Sequence, residues 1–194
     1  MSGVIDISQE YSMNTQGCLS PNTVYAARIE GNSMEIKIKK KTYNIRSYNE
    51  KEYDAVMNIH FKELDNVGAL VRESVSDADL DDINKYYLLN NGAFMIIEDE
   101  GKIIAIGGLL KINSRCAEIK RMRVKYEYQR SGIGTRLLKH LEQIAKEKGY
   151  NELYLDTSSK QVAAQRLYEK NGYKKYKTVK EKMLDVYFYK KIIG

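Results

Sequence analysis

The stretch YQRSGIGTRLL, Tyr128 to Leu138, joins a charged, strand-like run to a segment of helical periodicity. Its glycines, Gly132 and Gly134, fall between a strand and a helix whose first turn holds unpaired backbone N–H groups. Those groups, with the positive end of the helix dipole, form a site for an anion, and glycine lets a pyrophosphate approach the backbone closely. No Lys follows the second glycine and the spacing is short, which excludes the G-x-x-x-x-G-K-[ST] phosphate loop. A dinucleotide turn G-x-G-x-x-G fits no better. Leu137 stands where the third glycine belongs, KYEYQR separates strand from glycines, and the preceding strand is not the apolar run of a central parallel strand. Asp156, about where a ribose-binding acid would sit, does not offset these departures.

The preceding run, CAEIKRMRV (Cys116–Val124), carries a second clue. Ala117 and Ile119 are apolar at odd positions, whereas Met122, Val124 and Tyr126 are apolar at even ones. Strand side chains alternate strictly, so a change of phase implies an extra residue near Lys120 or Arg121, a β-bulge. A bulge frees backbone amides from the ladder. Free strand amides beside a pyrophosphate site suit a long ligand with an amide-bearing arm, and coenzyme A has both parts.

Outward from this centre, GTRLLKHLEQIAKEKG places Leu137, Leu138, Leu141, Ile144 and Ala145 on one helical face and stops at Gly149. ELYLDT reads as a short strand, SKQVAAQRLYEKNG as a helix ending at Gly172, and MLDVYFYKKI as a final strand. On the N-terminal side, AFMIIED, KIIAIGGLLKI and CAEIKRMRV form an antiparallel meander with turns at Glu100-Gly101 and Asn113-Ser114. Before it, SVSDADLDDINKYYLLNNG reads as a helix with Ser76 or Asp77 as N-cap and a close at Asn91-Gly92. Its aspartates (Asp77, Asp79, Asp81, Asp82) complement the helix dipole or, alternatively, line a pocket for a cation. An earlier helix spans Asn49 to about Asn66, and MEIKIKKKTYNIRSY alternates as a strand at Ile36, Ile38, Tyr43 and Ile45. Residues 1–41 read as a polar N-terminal extension that ends in the start of this strand, and residues 42–194 as one domain. Helices flanking a mixed sheet give an α/β class, of the α+β kind.

The 194 residues suffice for a buried core, and 43% hydrophobic with 30% charged residues is ordinary for a globular chain. No apolar run approaches a bilayer-crossing length, and the N-terminus lacks the basic and apolar regions of a secretory leader. Cys18 and Cys116 are too few for a disulfide framework, so a cytoplasmic setting is expected. A net charge of +6 admits nucleic acid. The lysines, however, are scattered apart from the run KIKKK (Lys37–Lys41), with no interleaved aromatics, and no nucleic-acid partner is expected. His60 and His140 are isolated, and no spacing of His, Cys, Asp and Glu suggests a metal.

Residues 117–173 resemble the GNAT superfamily of acetyl-coenzyme A-dependent N-acyltransferases. Gln129 to Gly134 fits its Q/R-x-x-G-x-G/A element, and AAQRLYEKNGY (Ala163–Tyr173) is similar to its A-x-x-L-Y-E-K-x-G-F element, with Tyr173 for Phe. In element order the likeness extends over about residues 42 to 191. It implies a mainly antiparallel sheet with a parallel, splayed central pair and flanking helices. It also implies acetyl-CoA as co-substrate, with its pyrophosphate on the backbone of Arg130, Ser131, Gly132, Ile133, Gly134 and Thr135, its pantetheine arm against Met122 and Val124, and Gln129 opening the motif.

By the same resemblance, Gln161 stands where many members have an Asn that contacts the coenzyme. Tyr168 aligns with the tyrosine that protonates the departing sulfur; the other reading of it is an aromatic packed at a helix end beside Leu167. Glu118 resembles a strand glutamate that some members use as a base, directly or through water; alternatively it is a solvated strand residue. The expected activity is acetyl transfer to a primary amine of a small molecule, peptide or protein, by direct attack in a ternary complex. The alternative is a coenzyme A-binding regulatory or interaction module with little catalysis. The N-terminal extension could pack on a second copy in a homodimer. The acceptor region is expected at about Phe61 to Asp79 and before the last strand.

Overall fold

The structure is a computed structural model and describes residues 33–70, 75–181 and 183–194. The polar N-terminal stretch, Cys18 and part of the expected acceptor region lie outside the described residues.

Among the described residues, eight strands form one sheet in the order β1-β2-β3-β4-β5-β6-β8-β7. The strands are β1 (Met34–Ile38), β2 (Lys41–Ser47), β3 (Ala93–Asp99), β4 (Lys102–Lys111), β5 (Cys116–Val124), β6 (Glu152–Ser158), β7 (Lys174–Lys180) and β8 (Asp185–Ile192). All neighbours are antiparallel except β5 and β6, which run parallel. This is the expected mixed sheet with a central parallel pair. The helices are α1 (Tyr53–Asp65), α2 (Ile133–Glu147) and α3 (Val162–Lys170).

Strand alternation sends two apolar sets to opposite faces. On one face Ala117, Ile119, Leu153 and Leu155 meet Leu137, Leu138 and Leu141 of α2 and Tyr168 of α3. On the other, Phe94, Ile96 and Ile106 meet Val56 and Ile59 of α1 and Leu80, Ile83 and Tyr87 of the segment after it. No helix among the described residues is long and apolar enough to cross a membrane.

Three elements differ from the sequence expectation. The alternating run from Met34 to Tyr48 is a hairpin rather than one strand, because Lys39 takes a left-handed turn conformation (φ 56°) and brings Ile36 opposite Tyr43. The helix expected from Ser76 or Asp77 to Asn91 is a 3-10 segment, Val75–Leu80, followed by a π-helical turn, Asn84–Leu88. Asp77 and Asp79 both bond the Arg121 guanidinium. Residues two apart do not share an α-helical face, so tighter winding is needed to aim both at one group. These two aspartates are therefore taken up by Arg121 and do not stand free for a cationic ligand, although Asp77 still lies in the first turn of the 3-10 segment. The third difference is β7, an exposed lysine-rich edge strand whose sequence KKYKTVK lacks apolar alternation; charged edges of this kind resist further strand pairing.

Candidate active site

The expected bulge is present. Lys120 pairs with Gly108 and Arg123 with Ile106, so Arg121 and Met122 together oppose Gly107. Arg121 is left-handed, at φ 57°. Its ion pairs hold it there: Nη1 lies 2.5 Å from Asp77 Oδ1, Nε donates to Asp79 Oδ2 at 2.9 Å, and Nη2 reaches Asp79 Oδ1. Tyr87 donates its hydroxyl to the same Asp79 carboxylate. Gly107 has no side chain to obstruct Met122, whose sulfur sits 2.7 Å from where a Cβ would stand.

The bulge decides which residues share a face. Met122 and Val124 join Ala117 and Ile119 against the α2 core, while Glu118, Arg121 and Arg123 all fall on the α1 face. Without the extra residue, the arginines would be driven into the apolar core.

The β5 and β6 ladder is short. Cys116, Ala117 and Glu118 pair with Glu152, Leu153 and Tyr154, and the register then ends, although β5 continues to Val124 and β6 to Ser158. The two strands separate into an opening through the sheet.

Glu118 stands at the root of this opening and is buried, with 7% of its surface exposed, so it is not the solvated strand residue that was one reading of it. Burial pushes its carboxyl up to about 7; Lys120, 3.7 Å away, opposes the shift and Asp156 across the opening adds to it. Asp156 alternates with Leu155 and so shares the face of Glu118. Tyr168 enters from the α2 side, buried against Tyr173 and Tyr189. Burial raises its phenol above the ordinary value, with Arg123 pulling it partly back and Asp156 reinforcing the rise. The ring of Tyr168 packs in the core, and the charges of Arg123 and Asp156 act on its hydroxyl.

The loop after β5 is pinned from two sides. Glu63 of α1 accepts from the Tyr126 amide at 3.3 Å and from Gln129 Nε2 at 3.3 Å. Gln129 Nε2 also donates to the Val124 carbonyl at 3.0 Å, so this side chain braces the loop. Asp99 of β3 accepts from the Tyr128 hydroxyl at 2.9 Å. Ser131 Oγ donates to the Tyr128 carbonyl at 2.6 Å, and Arg130 is exposed and left-handed at φ 59°.

Gly132 caps α2 in a left-handed conformation, φ 105°, and the next amide bonded back into the turn is that of Arg136, to the Gly132 carbonyl. Among the described residues, the amides of Gly134 and Thr135 have no acceptor, as the first turn of a helix requires. The two glycines differ in kind. A Cβ on Gly134 would meet Leu167 and Val124 at ordinary contact distances of 3.5 and 3.6 Å, whereas one on Gly132 is strained by its φ and lies 3.2 Å from Ile38. Gly134→Ala should therefore be neutral or stabilising by about 0.5–1 kcal/mol, and Gly132→Ala destabilising by about 1–2 kcal/mol. Thermal melts of the two variants check this.

Gln161 precedes α3. Its Oε1 accepts from Thr157 Oγ1 at 3.2 Å and from the Ser158 amide at 3.2 Å, which ties β6 to α3. His60 is fully buried, its Nε2 3.6 Å from Asp77 Oδ2. Burial lowers the imidazole's pKa against the opposing pull of Asp77. Arg123, Asp156 and Glu63 had no place in the motif-based residue set. Their signal lies in the change of phase along β5 and in contacts between elements far apart in sequence.

The family model described as Acetyltransferase (GNAT) family matches residues 53–173. N-acetyltransferase 8 of Homo sapiens is 35% identical over 103 residues, 50% of this chain and 45% of that protein. The chain thus spans about half the length of the curated relatives it matches. Among solved structures, an acetyltransferase of the GNAT family from Staphylococcus aureus Mu50 superposes with TM-score 0.71 at 24% identity, covering 78% of this chain and 99% of that chain. A Salmonella typhimurium protein solved with its cofactor acetyl-CoA gives TM-score 0.65 at 19% identity, covering 78% of this chain and 94% of that one.

Proposed function

Since this chain belongs to the acetyltransferase (GNAT) family, we propose that it moves an acetyl group from acetyl-CoA to a primary amine by direct attack in a ternary complex. The observation that carries this reading is the opening between β5 and β6, with Glu118 and Tyr168 on opposite sides of the sheet and a helix N-terminus at its end. The residues fit the coenzyme. Met122 stands outside the paired register of β5, which leaves its backbone N–H for a pantetheine group, and the Gly134 and Thr135 amides, with no acceptor among the described residues, would hold the pyrophosphate. Acetyl-CoA supplies the acetyl group as a thioester.

Glu118 takes a proton from the attacking amine, directly or through water. The N–H near Met122 holds the charge that develops on the carbonyl oxygen as the C–N bond forms and the C–S bond breaks. Tyr168 gives its proton to the departing sulfur, and free coenzyme A and an N-acetylated amine result. A carboxyl near 7 is balanced between accepting the proton and being ionised at neutral pH, the condition under which a general base works best.

The test is calorimetric titration with coenzyme A, followed by a free-thiol assay with acetyl-CoA and a broad panel of amines and peptides. Binding and thiol release on a subset of amines is expected. Absence of both would remove the reading, and binding without turnover on any amine would select a coenzyme A-binding regulatory module instead.

A further inference from the structure

Two guanidinium groups sit side by side on the α1 face of β5, and they are treated differently. Arg121 is neutralised by Asp77 and Asp79. Arg123, two residues on, has no carboxylate within ion-pair distance among the described residues. Its Nη1 donates to the Met122 carbonyl at 2.8 Å, and its Nε is buried with no acceptor. The residue as a whole is half-buried, with Nε shut off from solvent; a partly desolvated cation without a counter-ion is costly, and a ligand that supplies the missing charge relieves that cost.

Its position says which ligand. The bulge puts Arg123 on the same face as Glu118, at the stretch of β5 that has parted from β6. Its charge acts on Tyr168 and on His60, so it lies at the reacting end of the opening. The phosphate-type site lies elsewhere, at the N-terminus of α2, which packs against the opposite face.

Resting on the acetyl-transfer reading above, we propose that Arg123 recognises a carboxylate on the acceptor, so that the substrate is an amine that also carries a carboxylate group. The planar guanidinium offers Nε and an outer nitrogen as a fork that matches a carboxylate's two oxygens. Asp77 and Asp156 act on Arg123 only from beyond ion-pair distance: Asp77 is bound to Arg121, and Asp156 interacts with Glu118. Burial, with the like charge of Arg121 beside it, brings the Arg123 guanidinium down to about 10 against the opposing pull of Tyr168, Asp77 and Asp156.

The experiment uses the full chain and matched acceptors. Each free amino acid is paired with its carboxamide, and lysine additionally with cadaverine; free-thiol release gives kcat/KM for each. The wild-type protein should prefer the acid of at least one pair by about 10-fold or more, the worth of one charge-assisted bidentate contact. Arg123→Gln should abolish that preference through the acceptor KM while leaving coenzyme A affinity by calorimetry unchanged, and Arg123→Lys should keep part of it. Equal rates for every acid and its amide would overturn the carboxylate assignment alone and leave acetyl transfer standing. So would an Arg123→Gln protein that retains the preference. A loss of coenzyme A affinity in that variant would assign Arg123 to the coenzyme instead. No turnover with any amine would overturn the acetyl-transfer reading and this inference with it. The acid-to-amide ratio of the wild type needs no variant, so a poorly folded Arg123→Gln protein would still leave a decisive result.

Discussion

Tyr168→Phe is expected to lower kcat by about 10²- to 10³-fold while leaving coenzyme A affinity unchanged. The ring of Tyr168 is buried against Tyr173 and Tyr189, and phenylalanine fills the same space, so the core and the coenzyme site keep their shape. What is lost is a hydroxyl whose proton burial holds firmly at neutral pH. Without it the sulfur must leave as a thiolate in a site with little water. The measurement is steady-state kinetics beside a calorimetric titration. Unchanged turnover would return Tyr168 to a packing role alone.

Glu118→Gln should act in opposite directions on activity and stability. As a base, Glu118 works only when ionised, so wild-type kcat/KM should rise with pH through about 7 and then level; in the variant this limb should vanish and the rate fall by about 10²-fold. The stability effect follows from the same shift. The folded carboxyl binds its proton more tightly than the unfolded one, so the folded state holds more protons between about pH 4.5 and 7, and stability declines as pH rises across that window. Glutamine is neutral throughout and escapes this decline. Melting temperatures should therefore show the variant more stable than the wild type above pH 7 and nearly equal to it below pH 4.5. A pH-rate profile with the same limb in both proteins would reject Glu118 as the base.

Much of this site is readable along the chain because its parts are local. A glycine pair at a strand-to-helix junction, a helix with Leu137, Leu138 and Leu141 on one face, and a phase change between Ile119 and Met122 are patterns within a few residues. Each reflects a backbone constraint that holds in any tertiary setting: unpaired first-turn amides, helical periodicity and strand alternation. The same rules fail where local pattern yields to a distant partner. Asp77 and Asp79 look like the acidic first turn of a helix, but the Arg121 guanidinium, 42 residues beyond Asp79, draws both aspartates and rewinds the segment. The Lys174–Lys180 strand has no apolar period to detect, because an edge strand needs only the ladder to β8.

The sequence by itself determined the mixed fold, the bulge in β5 and the loop that opens α2, since each follows from the preferences of adjoining residues. Only the tertiary structure decided which charges meet. It buried Glu118 opposite Asp156, gave Arg121 two aspartates and, among the described residues, left Arg123 beside it without an ion-paired carboxylate. Those outcomes depend on the separation of two strands joined by a helix and on a segment folded over from forty residues earlier, and electrostatic energy depends on distance in space rather than along the chain.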